Sequence, residues 1–120
     1  GVSKQVLHEI GCVWQGDGEV TARAWLFARP VETRFARTVV AQAAKTKGCR
    51  VVDGPSFGSP SYTQVCTRVA GQQRVRHAGL FGQSWLSCEI AAPSGATIAD
   101  LRTRTDAWCV EVANALNTAR

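Results

Sequence analysis

The chain has 120 residues, which fits one hydrophobic core, and we expect residues 1–120 to fold as a single domain. Apolar residues make up 45% of the chain and charged residues 19%, a composition that excludes a disordered polymer. The net charge is +5, but the arginines form no dense run, so they favour a solvated surface over a nucleic-acid interface.

The chain contains no apolar run of transmembrane length, begins at Gly1 without a signal peptide, and lacks Met. We therefore expect a processed product whose signal peptide or lipid anchor lies upstream. On this interpretation the protein contacts a membrane only through that anchor.

Two N-terminal strands are predicted from alternating residues. Residues 5–15 and 19–29 both alternate with strand period, and Gly16-Asp17-Gly18 between them favours a hairpin turn. One face of the second strand is small and apolar and suits a covering helix. The opposite face carries Arg23, Trp25 and Phe27, which form an interaction patch if no helix covers them.

A helix and a loop follow Pro30. Apolar residues recur at helical spacing over 32–45, and Gly48 is placed to end the helix. Residues 49–53 form a short extended segment at most. Residues 54–61 hold two Pro and two Gly and predict a surface loop, where Phe57 is either an exposed binding residue or an anchor onto the core.

Three strands and a long helix complete the chain. Strands are predicted over 62–69, 73–79 and 84–92, with either a tight turn or a bulge between Gly79 and Gly82. Thr97 and Asp100 resemble a helix capping box. The helix that follows carries one continuous stripe: Ile98, Leu101, Thr105, Trp108, Val112 and Leu116.

The element order is therefore ββα-βββα. This order predicts an α+β fold in which two helices pack on an antiparallel sheet of about five strands.

The five cysteines lack the Cys-x-x-Cys spacing of zinc or redox sites, so disulfides in an oxidising compartment are the better interpretation. We expect no metal and no cofactor. A Cys88–Cys109 bridge would clamp the last helix onto the sheet, and Cys49–Cys66 would bracket the Pro/Gly loop. Cys12 is then left over, although a Cys12–Cys66 bridge between neighbouring strands is an open alternative.

Catalytic patterns are weak. His8 and His77 are the two histidines, and neither has a nearby carboxylate and nucleophile in a recognised arrangement. Residues 82–86 read GQSWL and lack the second Gly of a nucleophile elbow. A hydrolase would need a site assembled in space around one of these histidines.

The segment Gly11-Cys12-Val13-Trp14 opens a hairpin that is followed by a helix, a Gly-rich turn, a Trp/Cys strand and a Cys-bearing helix. This arrangement resembles the small secreted or lipid-anchored envelope domains of unknown function that are common in actinobacteria. The resemblance implies an extracytoplasmic binding or accessory role without catalytic residues. It also implies an upstream Cys that could pair with Cys12, whereas the pairs Cys49/Cys66 and Cys88/Cys109 depart from the pattern.

The leading hypothesis is thus a non-catalytic, secreted or cell-envelope domain that binds an envelope protein, a glycan or a lipid. Its candidate binding residues are Arg23, Trp25, Phe27 and Phe57. The alternatives are a small hydrolase and a binder of anionic polymers or nucleic acid through Arg68, Arg74 and Arg76.

Overall fold

A computed structural model describes residues 9–15, 20–27, 29–68, 71–93 and 95–119. Within these ranges the chain forms six strands and two helices. The elements, in chain order, are β1 (Glu9–Gln15), β2 (Thr21–Phe27), α1 (Thr33–Ala43), β3 (Cys49–Val52), β4 (Ser61–Thr67), β5 (Gln73–Phe81), β6 (Ser84–Ala92) and α2 (Ile98–Ala119). His8 and the predicted Gly16-Asp17-Gly18 turn lie outside the described residues, as do the side chains of Cys12 and Trp14.

The six strands form one sheet in the order β1-β2-β6-β5-β4-β3, and every neighbouring pair is antiparallel. The predicted α+β class, with two helices on an antiparallel sheet, is confirmed. The sheet was predicted to have about five strands and has six, because Cys49–Val52 pairs with β4 as an edge strand.

Helix α2 covers one face of the sheet. Alternation along β4, β5 and β6 places Val65, Val75 and Ile90 on this face, where they pack against Leu101 of α2. The predicted cap is present, since the backbone N–H of Asp100 donates to Thr97 Oγ1 over 3.2 Å. The face of β2 predicted to lie under a helix does so, as its apolar residues join the same core.

Helix α1 packs on the opposite face, near the end of the sheet where β2 finishes. Its buried residues Ala36 and Ala43 contact Leu80, Tyr62 and Ala78 through two small apolar clusters. Because α1 has only 11 residues, it leaves the other end of this face without a helix above it. We call that end the open half of the sheet.

The Pro/Gly loop docks on strand β5 through backbone hydrogen bonds. Ser59 N–H donates to Leu80 O over 2.8 Å, and Leu80 N–H donates to Pro60 O over 3.0 Å. Phe57 is 6% exposed and packs edge-on against Phe81 at 5.0 Å between ring centroids. The ring is therefore buried, as the anchor interpretation expects, and offers no surface for a ligand.

Both predicted disulfides are present. Cys88–Cys109 joins β6 to α2 in the core, and Cys49–Cys66 joins directly opposite residues of β3 and β4. This second bridge rules out the alternative pairing of Cys12 with Cys66. Two disulfides in so short a chain indicate an oxidising compartment.

Candidate binding site

The open half of the sheet carries a row of charged side chains that come from three strands. The register places Arg23 of β2 and Arg76 of β5 on either side of Glu89 of β6. Arg74 lies two residues from Arg76 and so shares its face. We call these four residues, Arg23, Arg74, Arg76 and Glu89, the arginine strip.

Glu89 holds the centre of the strip. It is 2% exposed, and its Oε1 accepts hydrogen bonds from Arg76 Nε at 2.8 Å and Arg76 Nη2 at 2.5 Å. Arg74 Nε lies 3.8 Å from the same oxygen, too far for a hydrogen bond, and has no hydrogen-bond partner. The strip therefore holds one carboxylate and three guanidinium groups, and it keeps an excess of positive charge.

The surroundings shift the pKa values of Arg74 and Arg76 in opposite directions. Burial lowers the pKa of Arg74, and the positive charges of Arg76 and Arg68 lower it further, against the attraction of Glu89. Burial also disfavours the charge on Arg76, but attraction and hydrogen bonding from Glu89 and Tyr62 raise the pKa of Arg76 overall. Glu89 thus compensates the positive charge of Arg76 well and that of Arg74 poorly.

Trp25 lies at the edge of the strip, and two guanidinium groups lie over its indole ring. The Cζ atoms of Arg23 and Arg76 are 5.2 Å and 5.0 Å from the ring centroid. These distances are within the range of cation–π attraction. The ring therefore fixes the outer guanidinium group of Arg23 above the sheet.

The same indole also forms one wall of an apolar groove between α1 and the sheet. The groove has a volume of about 220 Å³. Its lining residues are Trp25, Phe27, Val31, Phe35, Val39 and Trp85. Phe35 is 60% exposed, a large fraction for an aromatic side chain, so the rim of the groove is open to solvent. We call this feature the aromatic groove.

The structure joins two sets of residues that the sequence predicted as separate sites. Trp25, Phe27 and Arg23 were predicted on one hairpin, and Arg74 and Arg76 belonged to a different hypothesis. They lie together because β6 enters the sheet between β2 and β5. Arg68 faces a second cavity beside Cys49 and Cys66.

Sequence reasoning missed three parts of this site. Glu89, Trp85 and Phe35 were not among the predicted binding residues, although all three contribute to the strip or the groove. An acidic residue within the apolar strand β6 was the available signal for Glu89. Phe35 gave no comparable signal, because its position on an amphipathic helix is equally typical of the core.

His77 belongs to a separate polar chain on the α2 face. Thr63 Oγ1 lies 2.8 Å from His77 Nδ1, and His77 Nε2 lies 2.6 Å from Asp106 Oδ1 of α2. A hydroxyl, an imidazole and a carboxylate in this order resemble the arrangement of a nucleophile, a base and an orienting group.

Thr63 and His77 are closed to a substrate, however. Thr63 is 4% exposed and His77 is 1% exposed. The backbone of Gly54 covers Thr63 so closely that a Cβ on Gly54 would lie 2.3 Å from Oγ1. The Phe57 ring lies 6.0 Å from the imidazole. We interpret the hydrogen-bonded side chains of Thr63, His77 and Asp106 as a structural link between the sheet and α2.

In the described part of the chain, no three His, Cys, Asp or Glu side chains cluster as metal ligands. No helix within that part is long and apolar enough to cross a membrane. No protein-family model, curated protein or solved structure matches this chain.

Proposed function

We propose that this protein is a non-catalytic, extracytoplasmic binding domain of the actinobacterial envelope type, and that its ligand is an anionic lipid. The headgroup contacts the arginine strip, and part of the apolar tail enters the aromatic groove. One observation carries the proposal: Trp25 lines the groove while the guanidinium groups of Arg23 and Arg76 lie over its ring. Positive charge and apolar surface therefore meet at a single residue.

The excess positive charge of the arginine strip supports an anionic group on the ligand. Glu89 is the one carboxylate of the strip, against three guanidinium groups. The exposed guanidinium group of Arg23 suits an incoming phosphate or carboxylate, because it can donate two parallel hydrogen bonds to either anion.

The groove supports an apolar portion on the same ligand. At about 220 Å³ it is smaller than the range of roughly 300–1,000 Å³ that is usual for sites enclosing a whole small molecule. It suits the end of an acyl chain. A sugar is a poorer match, because sugars stack on free aromatic faces and two guanidinium groups already lie over Trp25.

The disulfides support an extracytoplasmic location for the protein. They indicate an oxidising compartment, and lipids with anionic headgroups are accessible in the envelope outside the cytoplasm. The closed setting of Thr63 and His77 supports a binding role over a hydrolytic one.

Titration calorimetry with a soluble, short-chain phosphatidylglycerol tests the proposal. Arg23 is exposed, so Arg23→Gln removes one charge without disturbing the core and should weaken binding by about fivefold. Phe35→Ser removes apolar contact at the groove rim and should weaken binding by roughly tenfold. Short-chain phosphatidylcholine, which lacks the net negative charge, should bind more weakly than phosphatidylglycerol.

Two variants on α2 are matched controls. Arg104→Gln removes an exposed arginine, and Val110→Ser removes an apolar side chain that is 54% exposed, both on the helix that covers the opposite face. Neither should change the affinity. Equal losses in the control and site variants, or equal binding of the two lipids, would show that the strip and the groove do not form the lipid site.

A further inference from the structure

The two disulfides lie in very different surroundings. Cys88 is 0% exposed and Cys109 is 1% exposed, and both belong to a core cluster with Phe57 and Leu86. Cys49 is half-buried at the sheet edge and borders an open cavity of about 770 Å³. A reductant can therefore approach Cys49–Cys66 in the folded protein, whereas it must open the core to reach Cys88–Cys109.

An arginine lies directly beside one sulfur of the accessible bridge. Arg74 Nη2 is 3.1 Å from Cys66 Sγ and 4.0 Å from Cys49 Sγ. Cys66 is itself 2% exposed, so the guanidinium group and not water is its polar neighbour. A negative charge formed on Cys66 would be stabilised by this contact.

The cavity adds a second electrostatic feature. Lys47, Arg68 and Arg74 line it together with the two cysteines. Three positive side chains attract an anionic nucleophile, and the nucleophile in thiol–disulfide exchange is a thiolate.

From this geometry we infer that Cys49–Cys66 is a thiol–disulfide exchange site that a dithiol reductant opens in the folded protein. The inference does not require lipid binding, although Arg74 belongs both to the arginine strip and to this site.

The exchange proceeds in two balanced steps. A thiolate of the dithiol attacks the accessible Cys49 sulfur, a bond forms between these two sulfurs, the Cys49–Cys66 bond breaks, and Cys66 leaves as a thiolate beside Arg74. The second thiol of the reductant loses its proton to water and attacks the reductant's first sulfur, which releases Cys49. The cystine gains two electrons, the dithiol departs as a disulfide, and its two protons pass to the solvent or to the two cysteines.

Differential alkylation with peptide mapping tests the inference on the folded, oxidised chain. The protein is incubated with dithiothreitol under native conditions, quenched with an alkylating reagent at intervals, and digested, so that each cysteine, Cys12 included, is followed on its own peptide. We expect Cys49 and Cys66 to become alkylated together while Cys88 and Cys109 remain oxidised and the circular dichroism is unchanged. Simultaneous reduction of both bridges, or earlier reduction of Cys88–Cys109, would overturn the inference.

Variants at Arg74 test the role of the guanidinium group. Arg74→Gln should slow reduction of Cys49–Cys66 by about tenfold, the effect of losing one charge-assisted contact to the departing thiolate. Arg74→Lys keeps the charge and should recover part of the rate, while Arg104→Gln on α2 should leave it unchanged. An unchanged rate in Arg74→Gln would refute the assigned role, and the order of reduction in the unmodified chain decides the inference even if this variant fails to fold.

Discussion

At the scale of single residues, the arginine strip depends on one buried carboxylate. Glu89 is nearly inaccessible to water, yet it carries a charge that Arg76 satisfies through two hydrogen bonds. Removing one partner of a buried ion pair is costly because the other charge stays buried without compensation. The strip therefore depends on Glu89 to hold its positive charges together on one face.

This arrangement predicts opposite effects of Glu89→Gln on stability and on binding. The free energy of unfolding, measured by urea denaturation, should fall by about 3 kcal/mol, because Arg76 and Arg74 lose their counter-charge. Affinity for phosphatidylglycerol should rise if the variant remains folded, since the strip gains net positive charge.

The control for this variant is Glu111→Gln, which removes an exposed carboxylate from α2. It should change the free energy of unfolding by no more than about 0.5 kcal/mol. A similarly small change in Glu89→Gln would contradict the view that the buried pair organises the strip.

At the scale of elements, the Pro/Gly loop and strand β5 fit together through a glycine. The sequence predicted that the strand ends at Gly79, but β5 continues to Phe81 and the turn lies at Gly82 and Gln83. Gly79 is inside the strand because the loop backbone passes over it: a Cβ there would lie 1.7 Å from Phe57 O. Close approach of a second backbone, rather than a turn, accounts for this glycine.

Gly79→Ala should therefore destabilise the fold by about 3 kcal/mol, the upper part of the range for overpacking, because the clash is with backbone and cannot be relieved by rotating a side chain. Urea denaturation measures the loss. Gly82→Ala is the matched control, since Gly82 has a φ of +65° and open space around it, and should cost about 1 kcal/mol from backbone conformation alone. Equal losses in the two variants would mean that the loop does not dock as described.

Several elements could be predicted from the sequence because their signals are local. Strand alternation, the cap at Thr97 and the spacing of the cysteines each depend on neighbouring residues, and the corresponding strands, helix start and disulfides are confirmed. The edge strand β3 was only partly expected, since four residues carry too short a pattern to distinguish pairing from an extended loop.

The site could be predicted only in fragments, because it depends on which strands are neighbours. Arg23 meets Glu89 across 66 positions of sequence, and no local pattern fixes that register. The aromatic groove depends in addition on how α1 lies across the sheet. The contact between His77 and Asp106 could not be predicted for the same reason, since it joins a strand to a helix that is distant in sequence.

At the scale of the whole molecule, the two faces of the sheet differ in how far they are covered. The α2 face is closed by a 22-residue helix, a buried disulfide and the hydrogen-bonded side chains of Thr63, His77 and Asp106. The opposite face is half covered by α1 and presents the arginine strip, the aromatic groove and the Cys49–Cys66 bridge. The fold thus closes one side of the sheet and leaves an accessible surface on the other.

Nuclear magnetic resonance of the tryptophan indole N–H groups tests the lipid site most directly, because these residues sample both faces. Trp25 and Trp85 line the aromatic groove, whereas Trp108 belongs to α2 and packs on the opposite face of the sheet, where its Nε1–H donates to the backbone oxygen of Arg23 over 3.4 Å. As isotope-labelled protein is titrated with short-chain phosphatidylglycerol, the Trp25 and Trp85 signals should shift together and saturate, while the Trp108 signal stays in place. A saturating shift of Trp108 alone, or no shift of Trp25 and Trp85 at saturation, would contradict lipid binding at this face.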